Sequence, residues 1–88
     1  MDDNTGVDFN DLENGFTLLN NAAVAASTNK PPINLGAWVF TRKKITNGYS
    51  LQISFHNTAS HENPRAFYRV HSGGGFWTGW QEFSTVPS

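Results

Sequence analysis

The chain is short, weakly charged and free of cysteine. It has 88 residues, a net charge of -1 at pH 7 and 15% charged residues, against about 25% in an average soluble domain. This charge gives no basic surface for nucleic acid, and no apolar run reaches the roughly 20 residues that a membrane span needs. We therefore predict one domain without nucleic-acid binding or membrane insertion, whose surface is neutral and polar or partly covered by another chain.

The N-terminal segment predicts turns followed by one strand. Residues 1–6 are expected to form a flexible lead-in or shaft linker, and residues 7–88 the domain itself. Asp8 and Asn10 are typical of Asx-turns and helix caps. The Asn-Gly pair that follows predicts a turn before a short strand over residues 16–20.

The Ala-rich segment "NNAAVAASTNKPP" allows two interpretations. Asn21 is able to cap one or two helical turns, but the Pro-Pro pair stops any longer helix. We expect a long surface loop with at most one turn of helix.

The clearest local signal is a hairpin. Two runs, "AWVFTRKKIT" and "YSLQISFHN", flank Asn-Gly, the dipeptide that best suits a two-residue type I′ turn. With that turn, Thr46 lies opposite Tyr49 and Phe40 opposite Phe55.

The second run alternates between apolar and polar side chains. One side of the strand carries Tyr49, Leu51, Ile53 and Phe55, and the other carries Ser50, Gln52, Ser54 and His56. We expect one face to be core and the other to meet water or another subunit. Val39 falls on the polar side, so a bulge in the first run would reverse that run's assignment.

The remaining sequence completes an antiparallel meander. Residues 57–64 have turn composition, "RAFYRV" predicts a strand, and "FWTGWQEF" predicts a final strand after a glycine turn that pairs His71 with Phe76. The expected fold is mostly β: a small antiparallel meander or sandwich knob of four or five strands, with long loops and at most one short helix.

The stretch "FYRVHSGGGFWTGWQEF" is dense in aromatic residues. Trp77 and Trp80 would lie on opposite faces of a regular strand, but a bulge at Gly79 brings both indoles to one side. Arg69 then lies within reach of an indole for cation–π stacking. Tyr68, Arg69 and the two tryptophans form either a structural cluster that closes a small core, which we favour, or an aromatic platform for a sugar ring.

Four segments taken in order carry a family resemblance. "DFNDLENGF", "NKPPINLGAWVF", "SLQISF" and "FYRVHSGGGFWTGWQEF" together resemble the pyocin-knob family of phage tail fibres and R-type pyocin fibres. The resemblance covers about residues 8–83, and its most specific part is Arg69 with Trp77 and Trp80. The chain departs from the family pattern at Phe67, where a Tyr is usual, in the Ala-rich loop and in the three-glycine turn.

The resemblance implies a knob near the end of a homotrimeric virion fibre, made in the host cytoplasm and used for attachment to a bacterial surface. It implies other tail-fibre or baseplate proteins as partners and no cofactor. Tyr68, Arg69, Trp77 and Trp80 would hold the fold, and the loops would choose the receptor. The expected function is therefore a receptor-binding head that binds host cell-surface saccharide; the alternative is a trimerisation or capping module without its own ligand.

Exposed polar and aromatic groups around one loop are the binding candidates. Aromatic faces suit the C–H patches of sugars, and amides or guanidinium groups suit their hydroxyls. The candidates are Trp38, His56, Asn57, His61, Asn63 and Arg65. Taken singly, each is also compatible with a plain solvated surface.

The sequence offers little for metal binding or catalysis. His56, His61 and His71 match no compact ligand motif, so we expect surface histidines, although a trimer can gather one histidine from each chain on its axis. The acids form no paired-carboxylate setting, and there is no Gly-x-Ser-x-Gly nucleophile motif. We predict neither a metal site nor an enzyme.

Overall fold

A computed structural model describes residues 5–43, 48–57, 65–72 and 75–83. The elements are a 3-10 helix Phe9–Asp11, β1 Gly15–Leu19, α1 Asn21–Ala26, β2 Ala37–Lys43, β3 Ser50–His56, β4 Arg65–His71 and β5 Gln81–Glu82. The strands form one antiparallel sheet in the order β1-β2-β3-β4-β5. This confirms the predicted mostly-β meander with one short helix.

Side-chain caps define both N-terminal helical turns. The Asp8 carboxylate accepts a 2.9 Å hydrogen bond from the Asn10 backbone N–H, as its sequence context predicts. The N-cap of α1 is Asn20, which accepts from the Ala23 N–H at 2.8 Å. Asn21 is therefore the first helical residue rather than the cap, and its side-chain oxygen instead accepts from the Gly36 N–H.

The β2–β3 hairpin differs from the predicted register by two residues. Phe40 pairs with Ile53 rather than with Phe55, and the last pair is Lys43 with Ser50. The pairing closer to the turn involves residues 44–47, which lie outside the described residues. The predicted pair of Thr46 and Tyr49 lies outside the described residues because Thr46 is not described. A shift of two keeps every side chain on its predicted face.

One face of the sheet is covered by the N-terminal segment and α1. The buried apolar cluster there consists of Phe9, Leu12, Leu19, Ala23, Val24, Ala37 and Val39. The β3 residues on this covered face are Gln52, Ser54 and His56, so the polar side of the alternating run is the inner one. These groups remain buried because every buried side-chain nitrogen or oxygen of the described residues has a hydrogen-bond partner.

The opposite face, called here the open face, is apolar along two full rows. Cross-strand pairing aligns Phe16, Phe40, Ile53 and Tyr68 in one row, and Leu18, Trp38, Phe55 and Ala66 in the next. Phe16 is 63% exposed, Leu18 61% and Trp38 51%. The apolar side of the β3 alternation thus faces outward, where only water or another molecule can cover it.

The closing segment, residues 75–83, contains a bulge. His71 bridges to Trp77 and Tyr68 pairs with Gln81, so the three residues 78–80 lie opposite only two residues of β4. This confirms the extra residue inferred around Gly79. The prediction of a continuous final strand is wrong, because regular pairing is confined to β5. The predicted pairing of His71 with Phe76 is wrong by one residue.

Candidate functional site

The Arg69 cluster joins the sheet to the N-terminal segment. Its members are Asn10, Gln52, Arg69, Trp77 and Trp80. Arg69 lies on the covered side of β4 and is 4% exposed. Its Nε donates to Gln52 Oε1 at 2.8 Å, and one terminal nitrogen donates to Asn10 Oδ1 at 2.8 Å. Charge-assisted hydrogen bonds of this length are among the stronger ones in proteins.

Gln52 extends this network across the sheet. Its side-chain nitrogen donates to the Phe9 carbonyl at 2.6 Å and to the Thr41 hydroxyl at 3.2 Å. Because Gln52 is fully buried, its oxygen would be left unsatisfied without Arg69. Thr41, Gln52 and Arg69 thus form one connected polar unit on the inner face.

Both indoles of the closing segment pack on the guanidinium. The Arg69 Cζ lies 4.0 Å from the ring centroid of Trp77 and 4.6 Å from that of Trp80. Trp80 also meets Phe9 edge-on, and its Nε1 donates to the Asn29 carbonyl at 3.0 Å. The predicted same-side placement of the two indoles is confirmed.

Burial changes the electrostatics of the cluster. Burial lowers the pKa of the Arg69 guanidinium to about 10, and the Asp8 carboxylate acts in the opposite direction. The group therefore remains charged at neutral pH. Hydrogen bonds from the Asn29 side chain and the Asn10 N–H lower the pKa of Asp8.

These contacts favour the structural interpretation of the cluster. Arg69 is nearly inaccessible, and two of its nitrogens already donate to protein oxygens, so it has little capacity to bind a sugar. Tyr68 is not part of the cluster: it lies on the open face, with its ring 4.9 Å from that of Phe83. The prediction that grouped Tyr68 with Arg69 and the tryptophans is wrong on this point.

Three of the predicted binding residues lie at one end of the sheet. Trp38 is near the start of β2, Asn57 follows β3, and Arg65 begins β4 opposite His56. Arg65 forms a two-pronged ion pair with Glu82, with both N–O distances 2.8 Å. Trp38 belongs to the open face and meets Phe16 edge-on at 6.3 Å.

His56 does not have the predicted exposure. It is 1% exposed, and its Nδ1 donates to the Leu35 carbonyl at 2.9 Å. The Ser54 hydroxyl lies 2.7 Å from Nε2 and donates to it when the ring is neutral. Burial lowers the pKa of His56, consistent with a neutral ring. His56 is therefore a core residue, because both ring nitrogens are used internally.

The remaining candidate residues show no metal site in the described part of the chain. His61 and Asn63 lie outside the described residues. His71 is half-buried, with its Nδ1 2.7 Å from the Gly48 carbonyl and its ring against Trp77. Across the described ranges, no three histidine, aspartate or glutamate side chains gather as a metal site would require.

An amide-lined concavity lies beside Asn57. It is formed by Leu18, Leu19, Asn20, Asn21, Ala22, Gly36 and Asn57. The Asn57 backbone N–H donates to the Gly36 carbonyl at 2.9 Å, which fixes the start of the loop, while its side chain is exposed. The concavity, called here the amide concavity, combines the exposed Asn57 side chain with the Asn20 and Asn21 amides, whose oxygens already accept backbone N–H groups, and with an apolar wall from Leu18.

Comparisons with protein-family models, curated proteins and solved structures found no match. The resemblance to the pyocin-knob family therefore stays a prediction that rests on the residues quoted above.

Sequence reasoning missed two features of the surface. The contribution of Asn20 and Asn21 to the amide concavity depends on where α1 packs, which composition does not reveal. A second open concavity is lined by Arg42, Tyr49, Ser50 and Leu51 at the far end of the sheet. Tyr49, which lines this concavity, is 57% exposed. Of the helices in the described part, none is long and apolar enough to cross a bilayer.

Proposed function

We propose that the chain is the head domain of a homotrimeric phage tail fibre or receptor-binding protein and attaches the particle to saccharide on a bacterial surface. The observation that carries this proposal is the amide concavity. Amide groups make paired donor and acceptor contacts to sugar hydroxyls, and Leu18 offers a surface for a C–H patch. The family resemblance adds the setting of a virion fibre.

The division between a rigid cluster and exposed loop residues supports this role. Binding residues are commonly placed on loops that a rigid scaffold positions. Here the Arg69 cluster ties the sheet to the N-terminal segment, and Asn57 directly follows the end of β3, at the start of a stretch for which the sequence predicts a loop. The proposal needs no cofactor and no catalytic step.

The test is binding to purified envelope polysaccharides and to bacterial cells. We expect the wild-type chain to bind a subset of them, and Asn57→Ala to weaken that binding about tenfold because it removes direct hydrogen bonds to the sugar. Asn14→Ala is the matched control, since Asn14 contacts Lys43 at the opposite end of the sheet. A wild-type chain that binds neither polysaccharide nor cells would contradict the proposal.

A second candidate is a trimerisation or capping module without a ligand of its own. The exposed apolar rows of the open face favour it, because large exposed apolar patches are typical of protein–protein interfaces. Deleting residues 7–88 from the parent fibre separates the candidates. A fibre that assembles but no longer adsorbs to cells supports recognition, whereas a fibre that fails to assemble supports the structural role.

A further inference from the structure

The open face is larger than the apolar patches of ordinary monomers. Seven large apolar side chains on or beside it are between 37% and 63% exposed: Phe16, Leu18, Trp38, Phe55, Tyr68, Val70 and Phe83. At roughly 100 Å² of exposed area each, they present about 700 Å². The largest patch on a typical monomer is about 300–600 Å², and a stable interface buries about 800 Å² per partner.

The placement of these residues makes the area continuous. The two apolar rows span β1 to β4, and a third row adds Leu51 and Val70 beside Arg42. Phe83 extends the surface through its contact with Tyr68. Since all the rows lie on one face of one sheet, a single flat partner can cover them together.

The charge of the open face favours a copy of the same chain. Arg42 is the one charged side chain that the described strand rows place on it. Identical faces therefore meet with little like-charge repulsion, and a strongly charged partner would find no complementary groups. A membrane-binding face ordinarily has Lys and Arg around its apolar part, whereas this chain carries a net charge of -1.

Among the described residues, no helix or further strand forms a layer on this side. The covered face has the 3-10 helix and α1, and the Cα atoms extend only 19 Å in the thinnest direction. Stable sheet architectures bury their apolar face against a second layer about 10 Å away. Another sheet of the same kind supplies that layer.

We propose that the open face is the surface through which copies of this chain associate, each copy covering the apolar rows of another. This deepens the proposed function, on which it rests for the trimeric assembly, by naming the interface. In a trimer, each open face turns toward the common axis, and each of the two neighbouring sheets covers part of its apolar rows. Trp38 is then an interface residue rather than a sugar-stacking one.

Sedimentation equilibrium of the wild-type chain and two groups of variants tests the interface. We expect an oligomer for the wild type, and for Phe16→Lys and Val70→Lys a dissociation constant raised at least 100-fold, because an unpaired charge is buried. Ala25→Lys is the control: it adds the same charge at an exposed position of α1, on the covered side. Far-ultraviolet circular dichroism verifies that each variant is folded.

A measurement on native sequence covers the case in which the lysine variants fail to fold. When the wild type is diluted until it dissociates, acrylamide should quench its tryptophan fluorescence more strongly, because Trp38 leaves the interface. The Trp38→Phe variant should lack this increase. A wild-type chain that stays monomeric at all concentrations would overturn the proposal. So would folded Phe16→Lys and Val70→Lys chains that associate like the wild type, or a monomer that partitions onto phosphatidylcholine vesicles.

Saccharide binding by the same proteins separates this inference from the proposed function. A monomeric wild type that binds polysaccharide overturns the interface and leaves the attachment role standing. An oligomeric wild type that binds no polysaccharide or cell supports the interface and contradicts the attachment role. Leu18 belongs to both the open face and the amide concavity, so the variants are placed elsewhere: neither Phe16 nor Val70 lines the concavity.

Discussion

Replacing Arg69 by alanine tests whether the Arg69 cluster stabilises the fold. The change removes two charge-assisted hydrogen bonds of 2.8 Å and the stacking of two indoles at 4.0 and 4.6 Å. Such hydrogen bonds contribute about 1.5–3 kcal/mol each, and a cation–π contact contributes about 0.5–2 kcal/mol. The cost of burying the guanidinium offsets part of this sum.

The expected net loss is about 3–5 kcal/mol, the usual effect of removing one partner from a buried charged network. A small domain has only about 5–15 kcal/mol in total. The buried Gln52 oxygen, left without its donor, is one cause of the loss. In urea denaturation followed by tryptophan fluorescence, the midpoint should fall by about 2–3 M.

Two companion variants make the result interpretable. Arg65→Ala removes an exposed arginine whose ion pair with Glu82 is accessible to water, and we expect little change in stability. Arg69→Lys keeps the charge but loses the planar group, so it should be nearly as unstable as Arg69→Ala. An Arg69→Ala midpoint equal to that of Arg65→Ala would refute the reasoning, and a stable Arg69→Lys would refute the role of planarity.

Three further changes test other contacts of the described residues. Trp80→Ala should lower the free energy of unfolding by about 3–5 kcal/mol in urea denaturation, whereas Asn57→Ala should leave the domain folded. A Trp80→Ala chain as stable as the wild type would contradict a structural role for that indole. Burial lowers the pKa of His56, so the unfolded chain binds more protons than the folded one. Stability should therefore decline as the pH falls below about 6.5, the ordinary pKa of histidine. In thermal melts at several pH values, His56→Asn should flatten this decline. Gly6→Ala should cost about 1–3 kcal/mol, since its Cβ would clash with the Ala26 carbonyl oxygen. Gly79→Ala meets no atom within 4 Å and should melt like the wild type. Equal melting temperatures of the two alanine variants would contradict this packing.

The fold class was predictable because strand signals were local. The alternation in β3, the turn residues between strands and the bulge around Gly79 each depend on neighbouring residues. The hairpin register was not predictable, because the prediction centred the turn on the Asn-Gly pair, whereas the observed pairing of Lys43 with Ser50 is shifted by two residues. A local turn preference of this kind is outweighed by strand pairing elsewhere in the sheet.

The inner and outer faces were harder to assign from the sequence. Hydrophobicity alone would place Leu51, Ile53 and Phe55 inside, yet the structure buries Gln52, Ser54 and His56. The decisive partners are distant in sequence: Gln52 meets Phe9, and His56 meets Leu35. A single sequence shows which side chains alternate but not which hydrogen-bond partners will be available.

The candidate site was predictable only in part. Asn57 was found from turn composition, and the structure places it on an exposed concavity, whereas the same reasoning wrongly took His56 as exposed. Asn20 was predicted to end the first strand and Asn21 to cap a helical turn, and their place beside Asn57 depends on packing across the sheet. Such convergence of separate segments leaves no short sequence motif.

The Arg69 cluster has a consequence for the order of events during synthesis. It joins Asn10 to Arg69 and Asn29 to Trp80, residues that are 59 and 51 positions apart. Contacts of such long sequence separation form slowly, because the intervening chain must first be brought together. A chain emerging from the ribosome cannot complete this core until Trp80 has left the exit tunnel. Folding of the domain should therefore finish only after β5 has emerged, with the pairing of this last strand as the final step.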